Sequence, residues 1–273
     1  MPFSLWTNPD WSDTPERARQ LDDHIRHTGK AGFGLRTFDE TRKINAVIDH
    51  FNSVAEKYDF MNSLLSFGIQ HVWKREAVRM LALKPGSRVL DVCGGTGDLA
   101  ELASERIGPE GSVIIYDINR KMMVQGLKKQ LTRPRWERID CVQGNAETIA
   151  FPSQSFDAAM VGFGIRNLTH LEKGFKEMHR VLKPGGKLLC LEFSKPKNPL
   201  FRALYDFYSF NVMPMMGQLI TGSARPYACL PETIRMFPLP DELSDILKTI
   251  GFKDIQYRSM TNGIAVAHVG IKG

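Results

Sequence analysis

The chain has 273 residues, of which 42% are hydrophobic and 24% are charged, so it can bury a sizeable core in one large domain. No apolar run reaches the roughly 18 residues that a transmembrane helix needs, and we expect no such helix. The net charge of +6 suits nucleic acid or an anionic membrane surface, but no RNP-like or zinc-finger pattern accompanies it. We therefore expect no nucleic-acid partner.

The potential metal ligands are scattered along the chain. The four cysteines include no CxxC pair, and the seven histidines form no HExxH motif. Isolated thiols of this kind indicate free cysteines in a reducing compartment rather than a disulfide framework or a zinc site. We therefore expect no bound metal, and we expect free thiols at Cys93, Cys141, Cys190 and Cys229.

Residues 1–40 are polar and irregular in pattern, and we expect them to form a loosely ordered tail. Their acidic residues argue against a mitochondrial presequence, and they lack the apolar core of a secretory signal. Within this segment we interpret Phe33–Thr37 as an early turn that folds back over a ligand cleft.

Two helices are predicted before the first glycine-rich motif. Apolar residues recur at helical spacing over Ile44–Tyr58, the stretch 59–68 is less regular, and a further helix covers Trp73–Leu83. One interpretation is ordinary packing against the core. The other is a lid over a ligand site, which would supply polar side chains from Tyr58, Asn62 or His71.

A strand, a tight turn and a helix start are predicted over Val89–Asp98. The strand carries Asp91, and Gly95 and Gly97 lie in the turn that follows. Because glycine lacks a Cβ atom, a ligand can lie directly against this backbone. The free N–H groups at the start of the helix can donate to a polar ligand.

Two ligand classes use such a turn. A dinucleotide would place its pyrophosphate there, and Gly95-x-Gly97-x-x-Ala100 satisfies the loose pattern. S-adenosylmethionine has no phosphate and carries an ammonium group, which suits the carboxylate of Asp91. A second acid, Asp117, ends the strand Ser112–Asp117 and can bind a ribose diol, but both cofactors contain that diol.

Further strands follow, and each ends in polar residues. Asn145-Ala146 comes after the strand Ile139–Gln143, where an amide could bind an adenine edge, and Arg166-Asn167 comes after the strand that begins at Phe156. Strand and helix patterns alternate five times over residues 84–194, which is typical of a parallel doubly wound sheet. In such sheets ligands bind at the carboxyl ends of the strands, so we expect these residues on one rim.

The alternation stops in the last third of the chain. Residues 199–240 are rich in aromatic residues and methionine, which indicates either a cap packed on the sheet or an apolar face for a lipid-like acceptor. A helix is predicted over Asp241–Ile250. The strands Asp254–Met260 and Ile264–Ile271 then form a predicted antiparallel pair joined through Asn262-Gly263.

Four motifs, together with the glycine turn, resemble the ubiquinone/menaquinone biosynthesis C-methyltransferase family. They are Phe51–Asn62, Gly162–Asn167, Leu191–Pro196 and Pro231–Pro238, and the resemblance extends from about Gly32 to the C-terminus. It implies the class I methyltransferase fold, an α/β doubly wound, mostly parallel seven-stranded sheet with an antiparallel C-terminal strand and a helical cap. It also implies one methyltransferase domain over 41–273, with lid helices over 44–83 and a substrate-side insert over 199–240.

The resemblance further implies the chemistry and the site. S-adenosylmethionine would donate a methyl group to the ring of demethylmenaquinol or of a demethylated ubiquinol precursor. The catalytic residues would be Arg166, Asn167 and Tyr58, although Arg166 could instead simply pair with a carboxylate such as Glu192. Two residues depart from the common pattern, since Cys93 replaces a glycine and Gly162 replaces a frequent serine. The implied cofactor-binding residues are Asp91, Gly95, Thr96, Gly97, Asp117, Asn145 and Ala146.

Because the acceptor carries a prenyl tail, we expect a cytoplasmic protein that transiently contacts the inner face of the membrane. A homodimer or an assembly with other enzymes of quinone biosynthesis is a further expectation. The residues alone are also compatible with two other functions. An NAD-dependent dehydrogenase would explain the glycine turn and Asp117 but not Asn145 or Arg166-Asn167. A non-catalytic assembly protein of methyltransferase fold is the second.

Overall fold

A seven-stranded β-sheet forms the centre of the protein in the computed structural model, which describes residues 22–130 and 134–273. Its strands are β3 Arg88–Val92, β4 Ser112–Asp117, β5 Ile139–Gln143, β6 Phe156–Gly162, β7 Leu182–Phe193, β8 Phe252–Met260 and β9 Ala265–Lys272, and a hairpin of β1 Lys30–Phe33 and β2 Arg36–Asp39 precedes them. The α-helices are α1 Asp22–Thr28, α2 Glu40–Val54, α3 Tyr58–Leu65, α4 Ile69–Met80, α5 Asp98–Ile107, α6 Arg120–Gln130, α7 Leu171–Val181, α8 Pro199–Phe207, α9 Met213–Thr221, α10 Arg225–Met236 and α11 Pro240–Ile250.

The strand order is β5-β4-β3-β6-β7-β9-β8, and β9 runs antiparallel to both of its neighbours. The other neighbouring pairs are parallel, which confirms the predicted fold class. The strand β3 pairs with β4 on one side and β6 on the other, so that Asp91 lies opposite Ile115 and Met160. The carboxyl ends of β3, β4, β5 and β6 therefore lie along one edge of the sheet.

Helices cover both faces of the sheet because the strands are apolar on both sides. Val89 and Val113 pack against α4, α5 and α6 on one face. Leu90 and Ile114 point to the other face, where α7 and α11 pack. Such continuous apolar strands are typical of a buried parallel sheet. Among the residues that the structure describes, every helix is too short or too polar to cross a bilayer.

The predicted tail is ordered where the structure describes it. The helix α1 and the hairpin β1–β2 occupy residues 22–39, because Ile25, Ala31 and Phe33 bury their side chains. Three apolar residues among polar neighbours gave too little periodicity to predict these elements from the sequence. Residues 1–21 lie outside the described part of the chain.

The predicted turn at Phe33–Thr37 is the connection of this hairpin, and it packs on α10 rather than over the ends of the parallel strands. The N–H of Leu35 donates to the carboxylate of Glu232 in α10 (3.1 Å). Gly34 has a φ of +61°, and a Cβ atom there would lie 2.3 Å from the same carboxylate. Phe33, at the start of this turn, nevertheless lines a cavity at the carboxyl edge of the sheet.

The lid region contains more helix than predicted. The segment predicted to be less regular forms α3, because Met61 and Leu65 bury side chains on one face. The helix predicted from Trp73 begins at Ile69, directly after Gly68, which has a left-handed φ of +74°. The helix predicted over residues 44–58 ends as α2 at Val54, and a short 3-10 turn then leads into α3.

The insert over residues 199–240 consists of α8, α9 and α10. A π-helical turn, Tyr208–Val212, joins α8 to α9 without a break. Pro214 explains this turn, since proline cannot donate a main-chain hydrogen bond and its ring clashes with the preceding turn of a regular helix. The predicted C-terminal pair is present as β8 and β9, and its connection at Asn262-Gly263 has positive φ values of 55° and 94°.

Candidate functional site

Two adjoining cavities lie at the carboxyl edge of the parallel strands. The first, which we call the sheet-end cavity, has a volume of about 1060 Å³ and lies over the glycine turn. The second, the aromatic cavity, has a volume of about 1550 Å³ and lies between the lid helices and the insert. Five residues line both cavities and so mark the boundary between them: Phe51, Tyr58, Asn62, Phe163 and Asn167.

Asp91 lines the sheet-end cavity and is almost fully buried. Its Oδ2 accepts a hydrogen bond from the N–H of Ala100 (3.0 Å), whereas its Oδ1 has no partner. Burial raises the pKa of this carboxyl well above its usual range. A buried carboxylate oxygen without a donor is costly by itself, so the site suits a ligand with a cationic donor such as an ammonium group.

Asp117 and Gly95 form the neighbouring part of this wall. The N–H of Gly95 donates to Asp117 Oδ2 (2.8 Å), and the N–H of Asn119 donates to Oδ1 (2.7 Å). Burial raises the pKa of Asp117 to about 6 in spite of these hydrogen bonds. Carboxylate oxygens also accept further hydrogen bonds, and a ribose diol supplies two hydroxyl donors.

Gly97 has a different role from the one that the sequence implied, because it does not line either cavity. Its φ is +80°, and a Cβ atom would lie 2.6 Å from Trp136 and 2.7 Å from Ile115. Gly97 therefore lets the turn pack on the core behind it. Thr96 does line the sheet-end cavity, and its hydroxyl donates to Asp59 in α3 (2.6 Å).

A network of charged residues links the lid to the glycine turn, and the sequence analysis missed it. Lys129 Nζ lies 2.9 Å from Asp59 and 2.7 Å from Asp98 and donates to the carbonyl of Thr96 (3.0 Å). Lys74 also donates to Asp98 (2.8 Å). Burial would raise the pKa of Asp98, but the two lysines outweigh it and lower that pKa well below its usual range. The four elements that meet here are separate in the sequence, so no local sequence pattern predicts the network.

The loop after β5 continues the wall beside Asp117. Asn145 and Ala146 line the sheet-end cavity, and Asn145 Oδ1 accepts the N–H of Glu147 (2.9 Å). The Asn145 amide therefore shapes its own loop while it faces the cavity. Glu147 holds the loop after β6, because it accepts the N–H groups of Thr169 (2.8 Å) and His170 (3.1 Å).

The lid helix α2 is fixed to the same loops by a buried lysine. Lys43 is fully buried, and its ammonium donates to the carbonyl of Leu168. Burial lowers the pKa of Lys43 to about 8, and the carboxylate of Glu147 opposes this shift. Ile44 and Ile48 of the same helix line the sheet-end cavity. One side of α2 therefore forms part of the wall of this cavity.

Tyr58 and Asn167 lie at the boundary between the two cavities. Burial raises the pKa of Tyr58, so its hydroxyl is a neutral hydrogen-bond donor at pH 7. Asn167 Nδ2 donates to the carbonyl of Gly164 (3.2 Å), which fixes the amide against the turn after β6. Asn62 lies at the same boundary, whereas His71 bonds to Ser63 (2.9 Å) and lines neither cavity.

Arg166 lines the aromatic cavity and is paired with Glu192. Its Nη1 lies 2.9 Å from Glu192 Oε1 and 3.1 Å from Oε2, and its Nε donates to Thr233 (3.3 Å). The pairing that the sequence left as an alternative is therefore present. The positive charge still acts on the cavity, because Arg166 helps to lower the pKa of His50, which burial and two arginines hold at about 4.

Four non-glycine residues that line the cavities have a left-handed backbone, among them Phe67 and Thr261 of the aromatic cavity. Cys93, which replaces a glycine of the common pattern, has a φ of +54°, and Phe163 has a φ of +56°. Positive φ is unfavourable for side chains with a Cβ atom, and such strain is often found at functional sites. A Cβ atom at Gly164 would lie 2.5 Å from that of Cys93, so this glycine lets the turns after β3 and β6 meet.

Aromatic and aliphatic side chains make up most of the wall of the aromatic cavity. Trp73 contacts Phe193 at a ring distance of 6.1 Å, and Phe193 lies 4.3 Å from Phe163. Tyr205 and Tyr208 contribute from the insert. Such a cavity suits a flat ring with an apolar chain. Within the described residues, no three side chains of histidine, cysteine, aspartate or glutamate are close enough to hold a metal ion.

Comparisons with known proteins agree with this arrangement. The model of the ubiE/COQ5 methyltransferase family matches residues 35–272. The chain is 45% identical over 240 residues to the ubiquinone/menaquinone biosynthesis C-methyltransferase UbiE of Stutzerimonas stutzeri (strain A1501), which covers 88% of this chain and 94% of that protein. The UbiE protein of Shewanella oneidensis is also 45% identical, with 88% of this chain and 96% of that protein covered.

Solved structures share the fold at much lower sequence identity. A SAM-dependent methyltransferase from Thermotoga maritima matches with a TM-score of 0.58 and 18% identity, over 82% of this chain and 99% of that chain. At this identity the likeness shows the fold alone. It agrees with the mostly parallel seven-stranded sheet described above.

Proposed function

The chain belongs to the ubiE/COQ5 methyltransferase family, and we propose that it transfers a methyl group from S-adenosylmethionine to a ring carbon of a reduced, prenylated quinone. The acceptor is demethylmenaquinol, a demethylated ubiquinol precursor, or both. The observation that carries this assignment is the pair of adjoining cavities, one with carboxylates for a cationic, ribose-containing cofactor and one with an apolar wall for the acceptor.

We assign the sheet-end cavity to the cofactor. Asp91 Oδ1, which has no donor in the protein, accepts from the ammonium group, and Asp117 accepts from the ribose hydroxyls. Asn145 and Ala146 lie where the adenine would bind, while Gly95 and Thr96 form the floor. The dehydrogenase alternative gains no support, because an unpaired buried carboxylate at the turn opposes a pyrophosphate.

We assign the aromatic cavity to the quinol and place the reaction at the boundary between the cavities. S-adenosylmethionine supplies an electrophilic methyl group on its sulfonium. A ring carbon becomes strongly nucleophilic only when the neighbouring hydroxyl loses its proton. The positive charge of Arg166 favours that ionisation, as it favours the neutral form of His50. Tyr58 and Asn167 orient the ring by hydrogen bonds to its oxygens.

Arginine is always protonated and is therefore a poor base by itself. Arg166 acts by stabilising the developing phenolate, and bulk water or a bound water carries the proton away. The Glu192 carboxylate keeps the guanidinium in place, since Nη1 is within 3.1 Å of both its oxygens. Arg166 thus contributes charge and position rather than proton transfer.

The prenyl tail of such an acceptor resides in the membrane, so the enzyme contacts the membrane surface during catalysis. We place it on the cytoplasmic side, at the inner face. A homodimer or an assembly with other enzymes of quinone biosynthesis is compatible with this function. We also propose the domain organisation given above, in which a tail precedes one domain over residues 41–273 that includes the lid helices and the insert.

Mass spectrometry of quinones in cells that lack the protein tests the proposed function. We expect loss of the mature quinone and accumulation of a species that is one methyl group lighter. Expression of the wild-type chain should restore the mature quinone, and a chain with Asp91→Asn and Asp117→Asn should not. An unchanged quinone profile in the deletion strain would contradict the proposal and would favour a non-catalytic role.

A further inference from the structure

The helices α8 and α9 and the π-turn between them form one continuous helix over residues 199–221, and one side of it is exposed and apolar. We call this side the apolar stripe. Its residues are between 56% and 77% exposed, and they form two groups with spacings of three or four within each helix: Leu200, Leu204 and Phe207 on α8, and Met215 and Leu219 on α9. At 1.5 Å per residue the helix is roughly 35 Å long, so the stripe is an extended surface rather than a single exposed side chain.

Charge is nearly absent from the stripe. Arg202 and Asp206 are the two charged residues in the sequence 199–221. The carboxylate of Asp206 lies 2.5 Å from the buried guanidinium of Arg235, and that guanidinium lies 4.2 Å from the Phe210 ring. The one acidic group of the helix is therefore held on the inner side, where it does not oppose an anionic surface.

The aromatic cavity opens on the same side of the molecule as the stripe. Leu204 belongs to the stripe and also lines the cavity. Phe67 and Ile69, from the turn between α3 and α4, line the cavity as well and are exposed. The Phe67 ring lies 5.8 Å from that of Tyr208, which brings the turn and the insert together at this opening.

We propose that the apolar stripe lies in the membrane interface and holds the mouth of the aromatic cavity against the lipid. This inference rests on the proposed function, since an acceptor with a prenyl tail must enter from the bilayer. A protein partner bound over the stripe would cover the mouth at Leu204 and block that path. A long helix with an exposed apolar side can lie in the plane of the membrane interface with that side among the lipids.

Membrane docking also explains why the apolar stripe is exposed instead of being packed inside the protein. The inner side of the same helix is occupied, because Phe201 and Tyr205 line the aromatic cavity and Met213 packs in the core of the insert. Lys197, just before α8, is exposed and carries a charge that anionic headgroups attract. The protein therefore binds the bilayer through the apolar side chains of the stripe, and the charge of Lys197 adds to the attraction.

Co-sedimentation with vesicles of three parts phosphatidylcholine and one part phosphatidylglycerol tests the proposal with the full chain. Wild-type protein should sediment with the vesicles. The variant Phe207→Gln/Leu219→Gln should bind at least about tenfold more weakly, because two exposed apolar side chains no longer enter the interface. The matched control is Val124→Gln/Leu127→Gln, which removes two exposed apolar residues of α6 and should bind like the wild type.

A second measurement keeps the test independent of any folding defect. The tryptophan emission of a Leu219→Trp variant should shift to shorter wavelength when vesicles are added, and that of a Val124→Trp variant should not. Equal vesicle binding by the stripe variant and the wild type, or no shift at Leu219→Trp, would overturn the docking surface.

Activity separates this inference from the proposed function. The stripe variant should methylate a water-soluble, short-tailed demethylated quinol at the wild-type rate, since neither Phe207 nor Leu219 lines a cavity. If the wild-type protein methylates this acceptor but does not bind vesicles, the proposed docking surface is wrong and the proposed function stands. A wild-type protein that binds vesicles through the stripe but methylates no demethylated quinol overturns the proposed function, while the surface itself stands.

Discussion

Burial of the Asp117 side chain disfavours the ionised carboxylate, which is the form that binds the cofactor. Its raised pKa of about 6 means that the folded protein binds a proton at this carboxyl more tightly than the unfolded chain does. This group therefore stabilises the fold below the unfolded pKa, near 4, and that contribution is lost as the pH rises to about 6. Cofactor binding has the opposite dependence, because the ribose hydroxyls donate to the ionised form.

We therefore predict that S-adenosylmethionine binds about tenfold more weakly at pH 5 than at pH 7.5, since about a tenth of the Asp117 side chains are ionised at the lower pH. Titration calorimetry at both values measures this ratio. The variant Asp117→Asn should bind weakly at both pH values and lose most of the dependence. Asp140→Asn, an exposed acid on β5, is the control and should behave like the wild type.

Variants of the Arg166–Glu192 pair can separate the effect of Arg166 on stability from its effect on catalysis. Arg166→Ala leaves the Glu192 carboxylate buried without its partner, which should cost about 3–5 kcal/mol of unfolding free energy. The double variant Arg166→Ala/Glu192→Ala removes both charges and should recover much of that loss. Chemical denaturation of the three proteins measures these differences.

If Arg166 stabilises the developing phenolate, kcat should stay about a hundredfold or more below the wild-type value in both variants. Cofactor affinity should be nearly unchanged, and kcat of the variants should rise with pH as the acceptor ionises unaided. A double variant that regains kcat together with its stability would mean that the pair is structural and that the assigned catalytic role is wrong.

Among the elements, the lid helix α3 is joined to the glycine turn by a network of charged residues. Lys129 of α6 bonds to Asp59 of α3 and to Asp98 and Thr96 at the glycine turn, so it connects the lid to the cofactor side of the sheet. Without its ammonium group, two carboxylates would repel each other in a largely buried place. Lys74 still pairs with Asp98, which limits the loss.

Lys129→Met should therefore lower the free energy of unfolding by about 1–3 kcal/mol at pH 7, as measured by denaturant titration. The control is Lys128→Met, because the neighbouring Lys128 is exposed and bonds to Gln125 on its own helix. Since the folded-state pKa of Asp98 is lowered, its stabilising charge is lost as the pH falls below about 4. The difference between Lys129→Met and wild type should shrink over that range, and a constant difference would contradict the ion-pair account.

At the scale of the whole molecule, the sequence predicts the sheet better than its surroundings. The strands at Ser112–Asp117 and Ile139–Gln143 have the predicted bounds. The first is a continuous apolar run, as is typical of a buried parallel strand, whereas the second is a half-exposed edge strand. The same regularity predicts that Asp91, Asp117 and Asn145 share one rim, since their strands end at one edge. All three line the sheet-end cavity.

Contacts between distant elements were not predictable in this way. Whether Arg166 pairs with Glu192 depends on how β6 and β7 align, and the sequence alone left that pairing as one of two options. Gly97 matched a ligand-binding pattern, but it packs against Trp136, a contact that only the three-dimensional structure reveals. The helix α3 was missed because its burial comes from the insert, more than a hundred residues away in the chain.

The account of the whole molecule rests on methyl transfer to a ring carbon. The most direct measurement uses purified protein, S-adenosylmethionine with an isotopically labelled methyl group, and a short-tailed demethylated quinol. We predict a labelled product that is one methyl group heavier and that still oxidises to a quinone, because a methyl group on carbon leaves both hydroxyls free. The oxidised acceptor should not react. Label on an oxygen, or no label in any quinol, would contradict the account.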